Sequence, residues 1–433
     1  MAKRLLLPRS QAVGLDGRPL AGAKLLTYIT GTSTPKPVFT DAALTVPHAN
    51  PVVADQAGRF PAMFLGAGDY RTVLTDAADV VIASDDPVEG DSAAAAADIA
   101  TAALAASRNR IVNPAMQLSQ QFGTSNTDCT TAATYTLDQW IGRLSTTPGG
   151  TLRIAQVASP TPGGSPFRLR ATAQVADGTL AAGDFYAIEQ PIEGTSVADA
   201  RFGSAAAKPL MLRFGLRSSV AGTFGVSIRN GINNRSYVSL VTIGAAEVNT
   251  DILRVLTVPG DTAGSWITDT GAGLRFTICL ASGSTFQGTA GSWQAGELLT
   301  TAGQTNFMGT GAATFELFDV GLYVDTPGLN VLPPFQAPEI GEDLFRASRY
   351  YQRIRAGIAG QSVGAGAFYS SSAIIPVPMR ATPVVTNLGT IVGINTSGSA
   401  YDDIANTGFR FTAISLASGA FVLTQDLALN ARI

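Results

Sequence analysis

Histidine and cysteine are almost absent from this chain: among 433 residues there is one histidine, His48, and two cysteines, Cys129 and Cys279. A Ser-His-Asp triad or a histidine-rich metal site needs imidazole in the large central region, and His48 lies outside it, so both chemistries drop out. Two cysteines without nearby histidine make no zinc cluster, and no metal or cofactor is expected. Cys279 sits in an apolar, strand-like LRFTICLA run and reads as a buried thiol; Cys129 sits in polar TSNTDCTT, and sequence alone leaves a disulfide open. Charge is scarce too, at 14% of residues with a net of −3. That removes the basic face nucleic acid requires and the polybasic stretch that draws a chain to anionic membranes. No apolar run approaches a membrane span, and Leu5 to Leu7 is too short for the core of an export signal, so synthesis in a cytoplasm without export is expected. No G-x-x-x-x-G-K-S/T loop is present, and glycine-rich strings such as 283–296 fall between strand signals, where they read as turns.

What the chain does have is glycine (46 residues), a 45% hydrophobic content and a mean hydropathy of +0.20. So apolar a surface is commonly hidden by oligomerisation. The densest signal is TGTSTPKPVFTDAALTVPHANPVVADQAGRFP, residues 30–61. Pro35, Pro37, Pro47, Pro51 and Pro61 fix φ and extend the preceding residue. Asp41, Asn50 and Asp55, with Gly31 and Gly58, supply turns, so the segment is no helix and reads as short strands in a rigid docking module. His48 reads as a packing residue there.

Four pieces follow along the chain. Residues 1–90 form a small β module. Residues 91–108 are alanine-rich and helical, capped by Asp91 or Ser92, with a thin stripe of Ile99, Ala103, Leu104 and Ala106. Too short to stand alone, this helix is either a trimeric neck or a monomeric linker. Residues 109–335 carry eight strand-like segments: Phe167–Ala173, Phe185–Pro191, Pro209–Leu216, Gly222–Arg229, Tyr237–Ile243, Asp251–Val258, Gly273–Ala281 and Ala313–Val324. Their alternation, as in MLRFGL and GVSIRN, predicts two sheets face to face in a jelly-roll-type β-sandwich. Residues 336–433 begin with a predicted helix, Pro338–Arg353, acidic early and basic late, with Leu344, Ala347 and Tyr351 on one face, and end in a β domain.

Several of these strings carry a resemblance. GTSTP (31–35), VFTDAALT (38–45) and NPVVADQAGRFP (50–61), followed by Tyr70, Arg71, Leu74, Asp76 and Asp85-Asp86-Pro87, resemble the N-terminal virion-attachment module of bacteriophage tail fibres and tailspikes. RNRIVNPAMQLSQ (108–120), YTLDQW (135–140), FYAIEQPIEG (185–194) and GLRFTICLASGSTFQGTAGSWQAG (273–296) resemble a tail-fibre β-sandwich whose nearest analogue is the jelly-roll carbohydrate-binding module. Where related modules open on an acidic turn that helps hold calcium, this chain has Asn113-Pro114-Ala115. The Arg349-Tyr350-Tyr351 string, and Pro376, Met379, Arg380 and Pro383 in PVPMRATP, resemble the closing segments of phage fibres.

The resemblance implies a homotrimeric fibre in the virion. It would dock on a tail or baseplate protein through residues 1–90 and adhere to host-surface polysaccharide or lipopolysaccharide through its β domains. Sugar rings stack on exposed aromatics flanked by polar groups. Trp266 in GDTAGSWITDTGAG, Trp293 in GTAGSWQAGE, Tyr369 beside Phe368, and Tyr401 beside Asp402 and Asp403 are the candidates, the alternative for both tryptophans being to cap the sandwich core. Trp140 reads as core. No enzymatic activity is expected. The remaining catalytic option is a carboxylate pair as in a glycan-cleaving tailspike, for which Glu189 and Glu193, Asp261 and Asp269, or Glu316 and Asp319 are available without any spacing that selects one. A structural tail or baseplate connector is the other alternative.

Overall fold

A computed structural model describes residues 3–5, 10–14, 17–66, 68–90, 108–130, 132–145, 148–161, 164–325 and 332–433. The chain is mainly β and divides into two compact units, Met1–Ala106 and Ser107–Ile433. The alanine-rich helix predicted over 91–108 lies, apart from Arg108, outside the described residues.

The first unit contains strands β1 (Lys3–Arg4), β2 (Lys24–Ile29), β3 (Val38–Phe39), β4 (Val52–Val53), β5 (Phe64–Leu65), β6 (Tyr70–Thr75) and β7 (Val81–Val88). They form sheets of order β4-β2-β6-β7 and β1-β5-β3 around Leu25, Val38, Met63, Leu65 and Tyr70. The proline-rich stretch runs as short strands and turns, as its composition dictates. Its polar turn residues have backbone tasks. The Asn50 side chain accepts from Thr27 N at 3.1 Å and donates to Thr27 O at 2.6 Å, continuing the edge of β2. Asp41 accepts from the amides of Thr45 and Val46, and Asp55 from those of Ala57 and Arg59. Gly58 has φ +71° and packs so tightly that a Cβ would meet Ala12 O at 2.8 Å, so only glycine closes this turn.

The second unit is built on a β-sandwich. Its strands are β8 (Thr127–Asp128), β9 (Ala133–Leu137), β10 (Trp140–Leu144), β11 (Thr151–Ala158), β12 (Phe167–Val175), β13 (Phe185–Glu193), β14 (Leu210–Ser218), β15 (Gly222–Asn230), β16 (Arg235–Ile243), β17 (Ile252–Val258), β18 (Ala272–Ser282), β19 (Trp293–Ala295) and β20 (Thr314–Val324). All eight predicted segments are strands, and β8 to β11 and β19 are additional to them. A seven-stranded sheet, β19-β16-β15-β18-β13-β10-β9, faces a six-stranded one, β17-β14-β20-β12-β11-β8. Alternation explains the core. Leu210, Leu212, Phe214 and Leu216 of β14 point inward against Trp140, Tyr186, Phe276 and Ile278, while Arg213 and Arg217 point away. Strand β13 is buried at all nine positions, because its second face is covered as well. Pro191 sits in it beyond Glu189, where the ladder with β10 has ended.

The helix after the sandwich is shorter than predicted. It spans Ile340–Ser348, and Tyr351 already opens the strand β21 (Tyr351–Ser362). Tyr350 and Tyr351 leave the helix because both are anchored elsewhere: Tyr350 OH donates to Glu193 at 3.1 Å, and Tyr351 pairs with Asn430. Of the three residues expected on the buried face, Ala347 and Tyr351 are buried and Leu344 is not. Asp343 and Ala347 face the sandwich, whereas Leu344 and Phe345 are exposed, because Asp343 accepts from Asn113 N at 2.9 Å. The strands β22 (Phe368–Ile374), β23 (Val384–Ile394), β24 (Thr396–Asp402), β25 (Gly408–Ser415) and β26 (Gly419–Asn430) complete two three-stranded sheets, β21-β26-β23 and β22-β25-β24, around Phe409, Phe411, Phe421 and Leu423.

This terminal lobe is fastened to the sandwich by polar bonds. Arg346 donates to Asn109 O and Ile111 O, Arg380 to Thr270 O, and Gln117 to Pro338 O, while a second Arg380 nitrogen donates to Ala431 O within the lobe. The Arg432 guanidinium lies 4.1 Å from the Tyr351 ring centroid and 4.6 Å from that of Tyr135. Val112, Leu118, Ala347 and Tyr350 form the apolar part of the junction.

Candidate functional site

The structure brings Trp266 and Trp293 together. Their ring centroids are 5.5 Å apart at 88°, and both meet Phe202, at 4.7 and 5.7 Å; Tyr237 lies 5.4 Å from Trp293. Edge-to-face contacts of this kind are favoured by the ring quadrupole. Both indoles are half-buried and pack on the sandwich core, so they form one aromatic cap with a partly exposed rim. Their N–H groups are taken internally, Trp293 donating to Pro259 O at 2.9 Å and Trp266 to Ala263 O at 3.2 Å. Beside them Arg235 forms a two-pronged ion pair with Asp261, at 2.8 Å for each bond. The hydrogen bonds to Asp261 lift the Arg235 affinity for its proton. Sequence reasoning named both tryptophans but missed Phe202 and Tyr237, which lie on separate segments with no shared pattern.

Tyr369 and Tyr401 lie apart from that cap, in the terminal lobe, where both are half-buried. The Tyr369 ring is 4.4 Å from Phe421, and its hydroxyl accepts from Val363 N at 3.0 Å. Tyr401 stacks at 14° on Phe411, 5.7 Å away, and its hydroxyl donates to Asn387. Phe368, the neighbour of Tyr369 in sequence, is exposed. The residues expected to form a docking segment, Pro35, Asp41, Asn50, Pro51, Asp55 and Gly58, lie in the turns and short strands of the first unit. His48 joins them, its amide donating to Val38 O at 2.7 Å and its ring Nε2 lying 2.9 Å from Ala62 O.

The available carboxylates are already engaged. Glu189 is fully buried on the outer face of the seven-stranded sheet. It accepts from Arg143 at 3.0 Å, Arg275 at 2.7 Å, Thr277 at 3.0 Å, and Arg229. Glu297 bridges Arg143 and Arg229 from the loop after β19. Burial alone would raise the Glu189 pKa, but the charges of Arg229, Arg143 and Arg275 outweigh it and hold the acid at about 2. Arg229 is pulled down, because burial and two like-charged neighbours oppose Glu189; a guanidinium nevertheless stays charged, so the ionisation of Glu189 governs this cluster. Asp261 is held by Arg235, Glu316 by Arg168 and Arg170, and Asp319 by Ser165. Asp269 accepts from Gly271 N in a turn, and Glu193 takes Arg349, Tyr350 and Thr195.

Both cysteines are buried free thiols, each pushed up to about 12 by burial. Cys129, despite its polar neighbours in sequence, belongs to the sandwich core. No group of three metal-ligating side chains occurs among the described residues, and no described helix is long and apolar enough to cross a membrane.

No family model matches this sequence, and no curated protein matches it. Solved structures overlap parts of it at low scores. The enzymatically active domain of tailspike protein 4 of bacteriophage CBA120 is 10% identical, with a TM-score of 0.26, over 50% of this chain and 21% of that one. The xylan-binding CBM22-1 domain from Paenibacillus barcinonensis is 10% identical, with a TM-score of 0.23, over 51% of this chain and 96% of its own. A family 11 carbohydrate-binding module from Clostridium thermocellum, in complex with a mixed-linked tetrasaccharide, is 11% identical, with a TM-score of 0.23, over 45% of this chain and 91% of its own. At such scores these overlaps carry no argument about what this chain does.

Proposed function

We propose that this chain is a non-enzymatic phage tail fibre protein. Its first unit docks on a tail or baseplate protein, and its β domains adhere to host-surface polysaccharide or lipopolysaccharide. The docking reading rests on the ordered strings between Gly31 and Pro61. The adhesion reading is carried by the half-exposed Trp266–Trp293–Phe202 cap beside the Arg235–Asp261 pair, an aromatic surface next to polar groups of the kind sugar rings stack on. Homotrimeric assembly is part of the same reading. Val363, Phe368, Ile374, Val384, Val392 and Ile394 are all exposed in the terminal lobe, a density of apolar surface that self-association would cover. Three chains per fibre would then convert weak single contacts into avid attachment.

The competing reading, a structural connector, is favoured by one observation: both indole N–H groups are already bonded internally, as in a core cap. The test is binding of the labelled full chain to a panel of bacteria, before and after periodate oxidation of surface glycan. Binding that periodate abolishes is the expected result. No binding to any strain by a chain of verified oligomeric state would replace the adhesin by the connector. Release of reducing sugar from surface polysaccharide would instead establish a cleaving spike.

A further inference from the structure

A cleft of about 440 Å³ opens between the sandwich and the helix Ile340–Ser348. That lies within the ~300–1,000 Å³ common for small-molecule sites. Three guanidiniums line it, from Arg108, Arg346 and Arg349, against one carboxylate, Glu193. Glu193 is 2% exposed and its acceptors are filled: Arg349 donates at 2.9 Å, Tyr350 at 3.1 Å and Thr195 at 3.0 Å. It therefore neutralises Arg349 and leaves nothing for the other two. Arg346 is anchored by one nitrogen to two backbone carbonyls, at 3.1 and 2.8 Å, and forms no ion pair among the described residues. Arg108 is exposed on the rim. Like-charge crowding shows in the affinities for protons: burial first, and Arg108 with it, pull Arg346 down against the opposing charge of Asp343, and Arg108 acts likewise on Arg110. Arg110 itself is held apart by Asp199 at 2.6 Å. The cleft thus carries excess positive charge over a rim of hydroxyls from Thr195, Ser196 and Thr270.

We propose that this cleft binds an acidic sugar residue, one bearing a carboxylate or a phosphate, within the host-surface glycan. The proposal rests on the adhesion reading and names the ligand class. The arginines take the anionic oxygens, for which a planar fork of donors is well shaped, and the hydroxyls take the sugar's own hydroxyls.

The test is calorimetric titration of the full chain with glucuronate, glucose 6-phosphate and, as the neutral arm, glucose. Binding of one or both acidic probes but not glucose is expected, and the arm that binds distinguishes carboxylate from phosphate. Arg108→Gln changes an exposed side chain at the rim, and an unchanged circular dichroism spectrum checks that folding is retained; it should weaken the acidic probe about tenfold, the value of one charge-assisted bond. Equal heats for all three sugars, or an unchanged affinity in Arg108→Gln, would overturn the proposal. The two readings fail separately. If Arg108→Glu and the parent chain bind bacteria equally, the cleft is refuted and adhesion stands; if neither binds bacteria while acidic probes still titrate into the cleft of the parent, adhesion is refuted and the anion site stands.

Discussion

Replacing Glu189 by glutamine keeps the shape of the side chain and removes its charge from a site enclosed by Arg143, Arg229 and Arg275. The carboxyl titrates at about 2 in the folded chain, against an ordinary 4.5. At about 1.4 kcal/mol per tenfold change in proton affinity, the ionised form contributes roughly 3 kcal/mol to folding at neutral pH. The folded value is depressed, so the contribution is complete above pH 4.5 and is lost as pH falls from there through about 2. Glu189→Gln should therefore cost roughly 3 kcal/mol at pH 7, near the loss expected when one partner of a buried ion pair is removed. The gap between parent and variant should shrink to less than half by roughly pH 3. Urea unfolding followed by tryptophan fluorescence measures both quantities, since Trp140, Trp266 and Trp293 all belong to this unit. A cost below about 1 kcal/mol at pH 7, or a gap that stays constant on acidification, would refute the electrostatic account and leave packing as the role of Glu189.

Other expectations are as direct. Both thiols should resist an aromatic disulfide reagent at pH 8 in the native chain and react, two per chain, in guanidinium; rapid native reaction would contradict their burial. Gly142→Ala should cost about 1–3 kcal/mol by overpacking, because its Cβ would collide with Cys129 Sγ; Cys129→Ala in the same chain should recover part of that loss, and additive effects would argue against the contact. Tyr350→Phe deletes the bond to Glu193 and should cost about 1 kcal/mol, with faster amide exchange across 340–353 as its local signature.

The period-2 alternation of strands such as β14 and β17 was legible because one face meets a dry core and the other is partly exposed, whereas β13, β15, β18 and β20 are buried on both faces over most of their length. The turn-rich segment between Gly31 and Pro61 was legible because proline and glycine act locally on φ, whatever surrounds them. The helix at 340 was legible by its charge order and by the burial of Ala347, but not its end or the exposure of Leu344. A hydrophobic count chose Leu344 for the interior, whereas a backbone amide at Asn113, 230 residues away, draws Asp343 there. The burial of Cys129 was hidden for the same reason, since polar neighbours say nothing about the strand that folds over them.

By itself, then, the sequence determined the mainly β class, the strand-bearing segments and the chemistries that one histidine and two cysteines rule out. Those depend on local geometry and on composition, which need no partner. Tertiary structure alone decided that Trp266 and Trp293 share a cap with Phe202, that three arginines enclose Glu189, and that the Arg349-Tyr350 string clamps Glu193 beside an Arg346 without an ion-pair partner among the described residues. Such sites form where distant strands meet, and the ordering of strands within a sheet is set by the packing of the whole core, which no short stretch of residues encodes.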